Sequence, residues 1–401
     1  MTPVELSRTV LRAVRCAVDD GELSVAVPVR AVVGPPGAGG RGDYATGIAL
    51  QLARSAGQPP LRVAEVLRSY LARAEGVTGV EITGPGFLNI SLDGSAVSDL
   101  VRRVRSEGVR YGHSDRLAGQ VFEVRVPYEV RAEVLADVLA RIIGAQGGRV
   151  DVRHEVRNGV RHGVLQGLGH GREGGTPLLA VPAPEDPAFL GLDAARWALL
   201  HPAPHDRPRI TADHLVQRES NPLFRVRYAH ARIRAVRRNA ADLGFVAGPG
   251  PGPDLAPGPD LGPDLARGPD TDPGLAPAYG RDLVAFLADY PRVLATAVPE
   301  VPDVPAVPEV PDVPAVPEVP AVTSGPGLGL GLGLDPSAPS RLTRHLLAVA
   351  DAALPLLPEV LPRGEEKPSA AHRARLALAE AAGVVLAGGL SLLGIDAPDH
   401  L

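Results

Sequence analysis

One stretch near the middle of the sequence, Asn221 to Asn239, constrains the fold more than any other. Its apolar residues recur at alternating steps of three and four, which predicts one amphipathic helix with a stripe for a protein core. The stripe consists of Val226, Ala229, Ile233, Val236 and Ala240. Arginines lie on both flanks of this stripe: Arg227, Arg234 and Arg238 on one side, and Arg225 and Arg232 on the other.

The charge of this stretch allows two interpretations. No acidic residue occurs between Glu219 and Asp242, so the helix itself does not neutralise its arginines. A helix that is packed on one face and cationic on its flanks suits a polyanion. The alternative is an ordinary solvated helix in a protein whose basic residues are almost all arginine.

The order of the residues favours the first interpretation. The segment Asn-Pro-Leu-Phe-Arg-Val-Arg-Tyr-Ala-His-Ala-Arg-Ile, residues 221–233, closely resembles the first helix of the anticodon-binding domain of arginyl-tRNA synthetases. In that family the pattern is Asn-Pro-x-(Phe/Tyr)-x-(Val/Ile)-Gln-Tyr-Ala-x-Ala-Arg-Ile, and Arg227 stands here in place of the usual Gln. The resemblance implies RNA contacts through Tyr228 and the arginines Arg227, Arg232, Arg234 and Arg238.

The net charge limits where an RNA-binding surface can lie. The 401 residues carry 41 Lys+Arg against 46 Asp+Glu, a net charge of -5, so a cationic surface must be local. Cys16 is the single cysteine, which excludes an intramolecular disulfide and a metal site built from cysteines. Residues 1–20 do not resemble a signal peptide, and the longest apolar run, 383–395, is too short to span a bilayer. We therefore expect a soluble cytoplasmic protein without a membrane partner.

The N-terminal third predicts a small α+β domain. Its predicted helices are 6–18, 44–56, 61–75 and 95–107, and its predicted strands are 25–29, 80–82 and 88–92. Asp43 is expected to cap the second helix, because its carboxylate can accept the unpaired first-turn N–H groups. The turn Gly84-Pro85-Gly86 is expected to join the last two strands.

Two motifs in this region resemble the additional N-terminal domain of the same synthetases. They are Gly-Asp-Tyr-Ala-Thr-Gly-Ile-Ala at 42–49, where Gly47 replaces the usual Asn, and Gly-Pro-Gly-Phe-Leu-Asn at 84–89. In the family this domain touches the outer corner of tRNA. The resemblance implies that Phe87 stacks on an unpaired base and that Asn89 hydrogen-bonds the edge of that base. The alternative is that Phe87 belongs to the core and Asn89 caps a turn.

The middle of the chain resembles the nucleotide-binding domain of the family but lacks its first signature. A strand at 121–126, a helix at 131–143 and a strand at 150–156 are predicted in the order of that α/β domain. In the family, the loop between the first strand and the helix holds His-x-Gly-His and binds the phosphates of ATP. Here the loop, residues 127–130, contains neither histidine nor glycine.

The second signature is absent as well. The helix at 193–200 resembles the one that follows a lysine-containing signature in the family, yet the only lysine of this chain is Lys367. Neither the glycine-rich segment 167–171 nor the histidines from His154 to His170 have the pattern of a phosphate loop or a zinc site. We predict no catalytic residue, no cofactor and no metal; ATP would be the cofactor if the activity of the family were retained.

The C-terminal part combines helices with low-complexity segments. Besides the helix at 221–239, the predicted helices are 281–296, 340–357 and 372–393. The segments rich in proline and glycine, which block helix and sheet formation, are 248–276, 299–320 and 325–334. The stretch 375–398 closely resembles the last helix and tail of the family's anticodon-binding domain. Pro355 stands where an aromatic pair is usual in the third helix, and it is expected to kink or end that helix.

Together these elements predict a multidomain α+β protein. Its parts are a small α+β N-terminal domain, a vestigial Rossmann-like α/β middle, and a C-terminal four-helix bundle of the anticodon-binding type with disordered Pro- and Gly-rich insertions. The predicted domain boundaries are 1–115, 119–205 and 210–401, with insertions at 247–278 and 298–339.

Three functions are compatible with the sequence. The preferred hypothesis is a catalytically silent relative of arginyl-tRNA synthetase that binds tRNA or another structured RNA. The second is an arginine–tRNA ligase whose active site is degenerate or completed by a partner. The third is a protein that regulates the true synthetase by binding it. The residues predicted to contact RNA are Phe87, Asn89, Arg227, Tyr228, Arg232, Arg234 and Arg238.

Overall fold

The computed structural model of the protein describes residues 3–34, 36–37, 42–92, 94–154, 175–248, 278–298 and 333–401. Almost all of the predicted low-complexity segments lie outside the described residues, and so do the glycine-rich segment 167–171 and the histidines His162 and His170.

The described N-terminal residues form four helices and an antiparallel sheet. The helices are α1 (Pro3–Asp19), α2 (Ile48–Ala56), α3 (Pro60–Leu71) and α4 (Gly94–Glu107). The strands are β1 (Val33–Gly34), β2 (Tyr44–Thr46), β3 (Val77–Thr83) and β4 (Phe87–Leu92), and their spatial order is β1-β2-β4-β3. β3 and β4 form the hairpin that the Gly-Pro-Gly turn predicts.

The N-terminal core lies between helices α1, α2 and α3 and one face of this sheet. α1 contributes Leu6, Val10 and Val14, which recur every four residues and are fully buried. Leu88 and Ile90 of β4 join the same core, because alternate residues of a strand share one face. Burying one such side chain stabilises the fold by about 1.5–3 kcal/mol.

Two predictions for the sheet are wrong. Residues 25–29 form no strand, and residues 44–46, which were expected to open a helix, form β2 instead. Tyr44 pairs with Ile90 of β4, so pairing across the sheet outweighs the local helical pattern. These partners are far apart in sequence, which is why the local pattern does not reveal the strand.

The cap predicted for the second helix is also wrong. Helix α2 begins at Ile48, after Gly47, and no side chain caps it. Asp43 lies instead just before the inner strand β2, where one carboxylate oxygen accepts a hydrogen bond from the Leu92 N–H at 2.8 Å. The carboxylate thus stabilises strand β4 and not a helix.

The middle part is a Rossmann-like fragment, as predicted. Its described elements are β5 (Val121–Val126), α5 (Val130–Gly144), β6 (Arg149–His154), β7 (Thr176–Pro177) and α6 (Gly191–Leu200). β5 lies between β6 and β7, and both neighbours run parallel to it. A parallel strand after a helix is the unit from which nucleotide-binding α/β domains are built.

The C-terminal part is a bundle of helices. Its described helices are α7 (Pro222–Asp242), α8 (Ala278–Ala295), α9 (Ala338–Ala353) and α10 (Ala370–Leu393). The helices α7, α8 and α9 all contact α10, and α9 also contacts α7 and α8. α9 ends two residues before Pro355, which confirms that this proline marks the end of the helix.

Helix α10 is the apolar centre of the bundle. Its 24 residues make it long and apolar enough to cross a membrane by length and composition, the one such helix among the described residues. However, 78% of its most apolar window is buried inside the protein. Gly383 allows this close packing, because an added Cβ would lie 3.0 Å from Ile233 Cγ2 of α7. The helix therefore has the surroundings of a core helix.

Helix α4 belongs to the core of the C-terminal bundle. Its Leu100, Val101 and Val104 are buried in one cluster with residues of the bundle. Arg105 of α4 also donates from Nε to Glu380 Oε2 of α10 at 2.9 Å. The separate N-terminal core, by contrast, includes no described residue beyond β4. The domain boundaries from the sequence remain predictions.

Candidate nucleic-acid interface

The β3–β4 hairpin places Phe87 at the surface of the N-terminal sheet. Phe87 begins β4 and is 44% exposed, so the alternative that it belongs to the core is wrong. The turn that presents it needs glycine: Gly86 has φ +140°, and a Cβ there would lie 3.0 Å from the Pro60 carbonyl oxygen. The ring edge of Phe87 lies against Gly47, where an added Cβ would be 3.4 Å away. The exposed ring is thus held in place from two sides.

Asn89 lies on β4 of the same hairpin, which is an inner strand of the four-stranded sheet. Its side chain is buried, and Nδ2 donates a hydrogen bond to Thr83 Oγ1 of β3 at 2.7 Å. This bond ties the two strands together directly beneath Phe87. A contact between Asn89 and an RNA base would require the bond to Thr83 to open.

The Asn-Pro pair at the start of α7 forms a complete N-terminal cap. Asn221 Oδ1 accepts hydrogen bonds from the N–H groups of Leu223 and Phe224, at 3.1 and 3.4 Å. Its Nδ2 donates to two carbonyls of the preceding segment, at 2.9 Å each. Pro222 occupies the first helical position, where a missing N–H costs nothing. The motif therefore fixes both the start of α7 and the direction of the chain that enters it.

Two of the predicted arginines on α7 are already paired with carboxylates. Arg227 Nη1 lies 3.3 Å from Asp193 of α6, and Nη2 lies 4.0 Å from Asp396 of the C-terminal segment. Arg234 forms a bidentate ion pair with Asp399: Nε lies 2.7 Å from Oδ1 and Nη2 lies 2.9 Å from Oδ2. Hydrogen bonds from Arg234 lower the pKa of Asp399. Both arginines would have to exchange a carboxylate for a phosphate before they could hold RNA.

Other arginines of α7 also have partners on neighbouring elements. The carboxylates come from helices and segments distant in sequence, which no pattern within α7 reveals. The remaining pairs are Arg225 with Asp351 (2.5 Å), Arg237 with Glu380 (3.5 Å) and Arg238 with His400 Nδ1 (3.3 Å).

Tyr228, Arg232 and Arg238 are the predicted residues of α7 that are exposed to solvent, and of these Arg238 contacts His400. Tyr228 is 39% exposed and stacks on Phe224, with ring centroids 5.6 Å apart and planes at 21°. Arg232 is exposed and forms no ion pair with any described residue. Phe224, Tyr228 and Arg232 are spaced four residues apart, so they lie on one face of the helix. An aromatic pair beside a free guanidinium suits a stacked base with its phosphate.

The carboxyl edge of the parallel sheet is closed by Glu129. Its Oε2 accepts a hydrogen bond from the Ala132 N–H at 2.9 Å and caps helix α5. Its Oε1 accepts from the Ala183 N–H at 3.0 Å, which ties the segment after β7 to the same point. Nearby, His154 Nδ1 at the end of β6 lies 2.9 Å from Glu133 Oε1. The described residues include no group of three or more His, Cys, Asp or Glu that could hold a metal ion.

Arg131, next to this cap, has the largest buried charged side chain among the described residues, and the sequence does not reveal its burial. Its side chain is fully buried, and burial lowers the pKa of its guanidinium. It donates only to backbone carbonyls, so it links the start of α5 to the chain on either side of α6. The acceptors are the carbonyls of Val181, Leu199, Pro202, Ala203, Pro204 and Asp206.

Comparison with known proteins identifies the family of both ends of the chain. Residues 8–92 match the model of the arginyl tRNA synthetase N terminal domain, and residues 266–401 match that of the DALR anticodon binding domain. The chain is a relative of the arginyl-tRNA synthetases. Helix α7 precedes the second matched range, so its assignment rests on the sequence motif described above.

Curated relatives and a solved structure agree with this placement. An arginine–tRNA ligase of Frankia alni is 44% identical over 119 residues, 30% of this chain and 22% of that ligase. One from Renibacterium salmoninarum is 47% identical over 127 residues, 31% of this chain and 23% of the ligase. The chain thus matches less than a quarter of the length of these relatives. An arginyl-tRNA synthetase of Thermus thermophilus shares the fold, with a TM-score of 0.60 at 14% identity and full coverage of both chains.

The described residues at the carboxyl edge of the sheet in this synthetase relative do not fit the phosphates of ATP. A helix N-terminus binds an anion through free N–H groups, but the Ala132 N–H already donates to Glu129. The carboxylate of Glu129 would also repel a phosphate at close range. At the end of β6, His154 Nδ1 lies 2.9 Å from Glu133 Oε1, so this imidazole would have to leave a carboxylate before it could hold a phosphate.

Proposed function

We propose that the protein binds tRNA or another structured RNA and does not aminoacylate it. The observation that carries this proposal is a contrast between two sites. Phe87 and the pair Tyr228–Arg232 offer exposed aromatic and cationic groups, whereas Glu129 closes the edge at which ATP phosphates would lie. The matches to the N-terminal and anticodon-binding families support RNA as the ligand.

The proposed contacts differ in how directly each residue takes part. Phe87 and Tyr228 stack on unpaired bases, each worth about 1–3 kcal/mol. Arg232 binds phosphate as it stands, and Arg238 exchanges its contact with His400 for one. Three further residues act less directly: Asn89 holds the hairpin under Phe87, and Arg227 and Arg234 bind phosphate only after release from their carboxylates.

Filter binding of the purified chain to bulk tRNA at low salt tests this proposal. We expect saturable binding that weakens steeply as salt rises, because arginine contacts release counterions from phosphates. Phe87→Leu is expected to weaken binding roughly 5- to 150-fold, the equivalent of one lost base stack. Phe189→Leu is the matched control, since Phe189 is also exposed but lies in the short helical turn Pro187–Leu190, just before α6. No binding by the unmodified chain, or binding with a flat salt response, refutes RNA binding.

An arginine–tRNA ligase activity is the second candidate, favoured by the printed names of the relatives. Arginine-dependent exchange between ATP and pyrophosphate, measured with tRNA present, separates it from the first proposal. We expect no exchange above the blank. A clear arginine-dependent signal overturns the proposal of a silent protein.

Two further properties stay proposals. They are a cytoplasmic location and an association with the true arginyl-tRNA synthetase. The association is tested by co-purification of that enzyme with the tagged chain after treatment with RNase. Loss of the enzyme on RNase treatment attributes any association to shared RNA.

A further inference from the structure

Helix α1 carries a row of arginines on its solvent face. Arg8, Arg12 and Arg15 are spaced four and three residues apart, so they lie on one side of the helix. All three are exposed, and the buried stripe that begins at Leu6 lies on the opposite side. From Arg8 to Arg15 the helix rises about 10 Å, and the arginine side chains can spread further than that.

These three arginines form no ion pair with any described residue. Of the acids near the two ends of α1, Glu5 accepts a hydrogen bond from Arg103 at 2.9 Å, and Asp20 accepts one from the Tyr70 hydroxyl at 2.7 Å. Asp19, four residues after Arg15 on the same face, is exposed and forms no ion pair with a described residue. The nearest helical neighbours of each arginine on this face include another arginine, and like charges at this spacing repel. Three arginines against the single carboxylate of Asp19 thus leave this face of α1 cationic in a chain with a net charge of -5.

The arginines of α7 and those of α1 differ in how far carboxylates pair with them. On α7, where the sequence motif points to RNA, Arg227 and Arg234 are neutralised by carboxylates from other elements. On α1, where no motif points to RNA, the charges remain available. Uncompensated arginines attract phosphates at longer range and bind them without first breaking an internal contact.

Contacts connect the Arg8 end of α1 to Phe87. The Ser7 hydroxyl donates to the Ala31 carbonyl at 2.7 Å. The Thr46 hydroxyl donates to the next carbonyl, that of Val32, also at 2.7 Å. Gly47 follows Thr46 and lies against the ring of Phe87. The Arg8 end of α1 is therefore linked through this segment to the end of β2 beside Phe87, whereas the arginines face away from the sheet and Phe87 lies on the sheet face opposite to α1.

We propose that Arg8, Arg12 and Arg15 hold phosphates of the bound RNA at a second surface, on the opposite side of the N-terminal core from Phe87. This inference rests on the proposed RNA-binding function and assigns the main electrostatic contact of that function to α1. Guanidinium groups suit the role, because each can donate two parallel hydrogen bonds to a phosphate.

The test measures binding of bulk tRNA to the full chain over a range of salt concentrations. In the variant Arg8→Gln/Arg12→Gln/Arg15→Gln, we expect the slope of log affinity against log salt to fall by about 1.5 to 2.5. That change corresponds to the loss of two to three phosphate contacts at about 0.7–0.9 each. The variant with all three changed to Lys keeps the charges and should retain most of the slope.

A matched control removes the same charge elsewhere in the N-terminal part. Arg54, Arg68 and Arg73 are exposed and form no ion pair with described residues, so their change to Gln should leave the slope nearly unaltered. Thermal unfolding of every variant must match that of the unmodified chain. If both triple variants lose the same slope, net charge alone explains binding and the α1 assignment is overturned.

The outcomes for this inference and for RNA binding itself can be told apart. If the unmodified chain binds tRNA and the α1 variant keeps its slope, the α1 assignment fails while RNA binding stands. If the unmodified chain binds no tRNA, RNA binding and the α1 assignment fail together. A loss of slope confined to the α1 variant supports the assignment.

Discussion

At the residue scale, Arg131 is a cation that the interior holds without a carboxylate partner. Burying a charged group is costly unless hydrogen bonds replace water, and here only backbone carbonyls accept from its guanidinium. The carbonyl acceptors follow β7 and α6 in the chain, so Arg131 links α5 to segments far away in sequence. The residue is structural, and removal of its side chain should affect stability more than binding.

The variant Arg131→Met tests this role. It keeps much of the side-chain volume but leaves buried carbonyls without a donor, so the free energy of unfolding should fall by about 3 kcal/mol or more. Urea denaturation provides the measurement. Arg141→Met is the control on the same helix, because Arg141 is exposed and its pair with Asp137 is worth under about 1 kcal/mol. Similar losses in the two variants would contradict the role of Arg131.

His345 gives the bundle a dependence on pH. It lies between Phe286 and Tyr290, and burial lowers the pKa of its imidazole to about 4. Because the ordinary pKa of histidine is near 6.5, the unfolded chain binds this proton more readily than the folded chain. The stabilisation is therefore complete above about pH 6.5 and is lost as the pH falls towards 4, by roughly 3 kcal/mol in all.

His345→Gln should remove this contribution to the pH dependence. Urea denaturation at several values between pH 7 and pH 4 would show a shallower loss of stability in the variant than in the unmodified chain. His205→Gln is the control, since His205 is exposed on a surface segment. An unchanged pH profile in His345→Gln would show that other groups cause the loss.

At the scale of elements, the β3–β4 hairpin depends on backbone shapes that only glycine adopts easily. Gly86→Ala places a Cβ 3.0 Å from a backbone oxygen of α3 at a φ of +140°, and neither strain can relax without moving the turn. We expect a loss of about 1–3 kcal/mol in the free energy of unfolding. Weaker tRNA binding should accompany it, because Phe87 moves with the turn.

Gly57→Ala distinguishes the strain caused by a positive φ from the strain caused by the close contact of an added Cβ. Gly57 also has positive φ, +62°, but an added Cβ would meet nothing within 4 Å. Its loss of stability should be about 1 kcal/mol, with tRNA binding unchanged. Equal effects of both substitutions on binding would contradict the hairpin's role in placing Phe87.

Elements defined by local patterns could be predicted from the sequence, and elements defined by distant pairing could not. Helices α7 and α10 follow from apolar periodicity, and the β3–β4 hairpin follows from its Gly-Pro-Gly turn. Strand β2 has the local pattern of a helix start, and its pairing with β4, which joins residues more than forty positions apart, outweighs that pattern. The same limit applies to Asp43, whose partner is an N–H of β4.

At the scale of the whole molecule, contacts between residues distant in sequence also divide the predicted site residues into two classes. Phe87 is exposed as its motif implies, since a tight turn presents the residue that follows it. No acidic residue occurs in α7 before its last residue, Asp242, but the fold brings Asp193 and Asp399 to Arg227 and Arg234. Electrostatic sites depend on the assembled molecule, so the free arginines of α1 could be recognised only from the structure.

The division of the molecule into folding units leads to a final prediction. Leu100, Val101 and Val104 of α4 are buried against the C-terminal bundle, and Tyr111 stacks on Tyr290 of α8 with centroids 6.0 Å apart. A chain that begins at residue 94 keeps these contacts, whereas a chain that begins at residue 116 loses them. Each lost side chain removes about 1.5–3 kcal/mol, and the total is comparable with the whole stability of a typical domain.

We therefore expect the chain from residue 94 to unfold cooperatively on heating, as followed by circular dichroism. The chain from residue 116 should melt at a much lower temperature or fail to fold, because the bundle surface that α4 covers would be exposed to water. The boundary predicted at residue 115 makes the opposite claim, since it assigns α4 to the N-terminal domain. Equal melting temperatures for the two chains would favour that boundary and show that α4 adds little to the bundle.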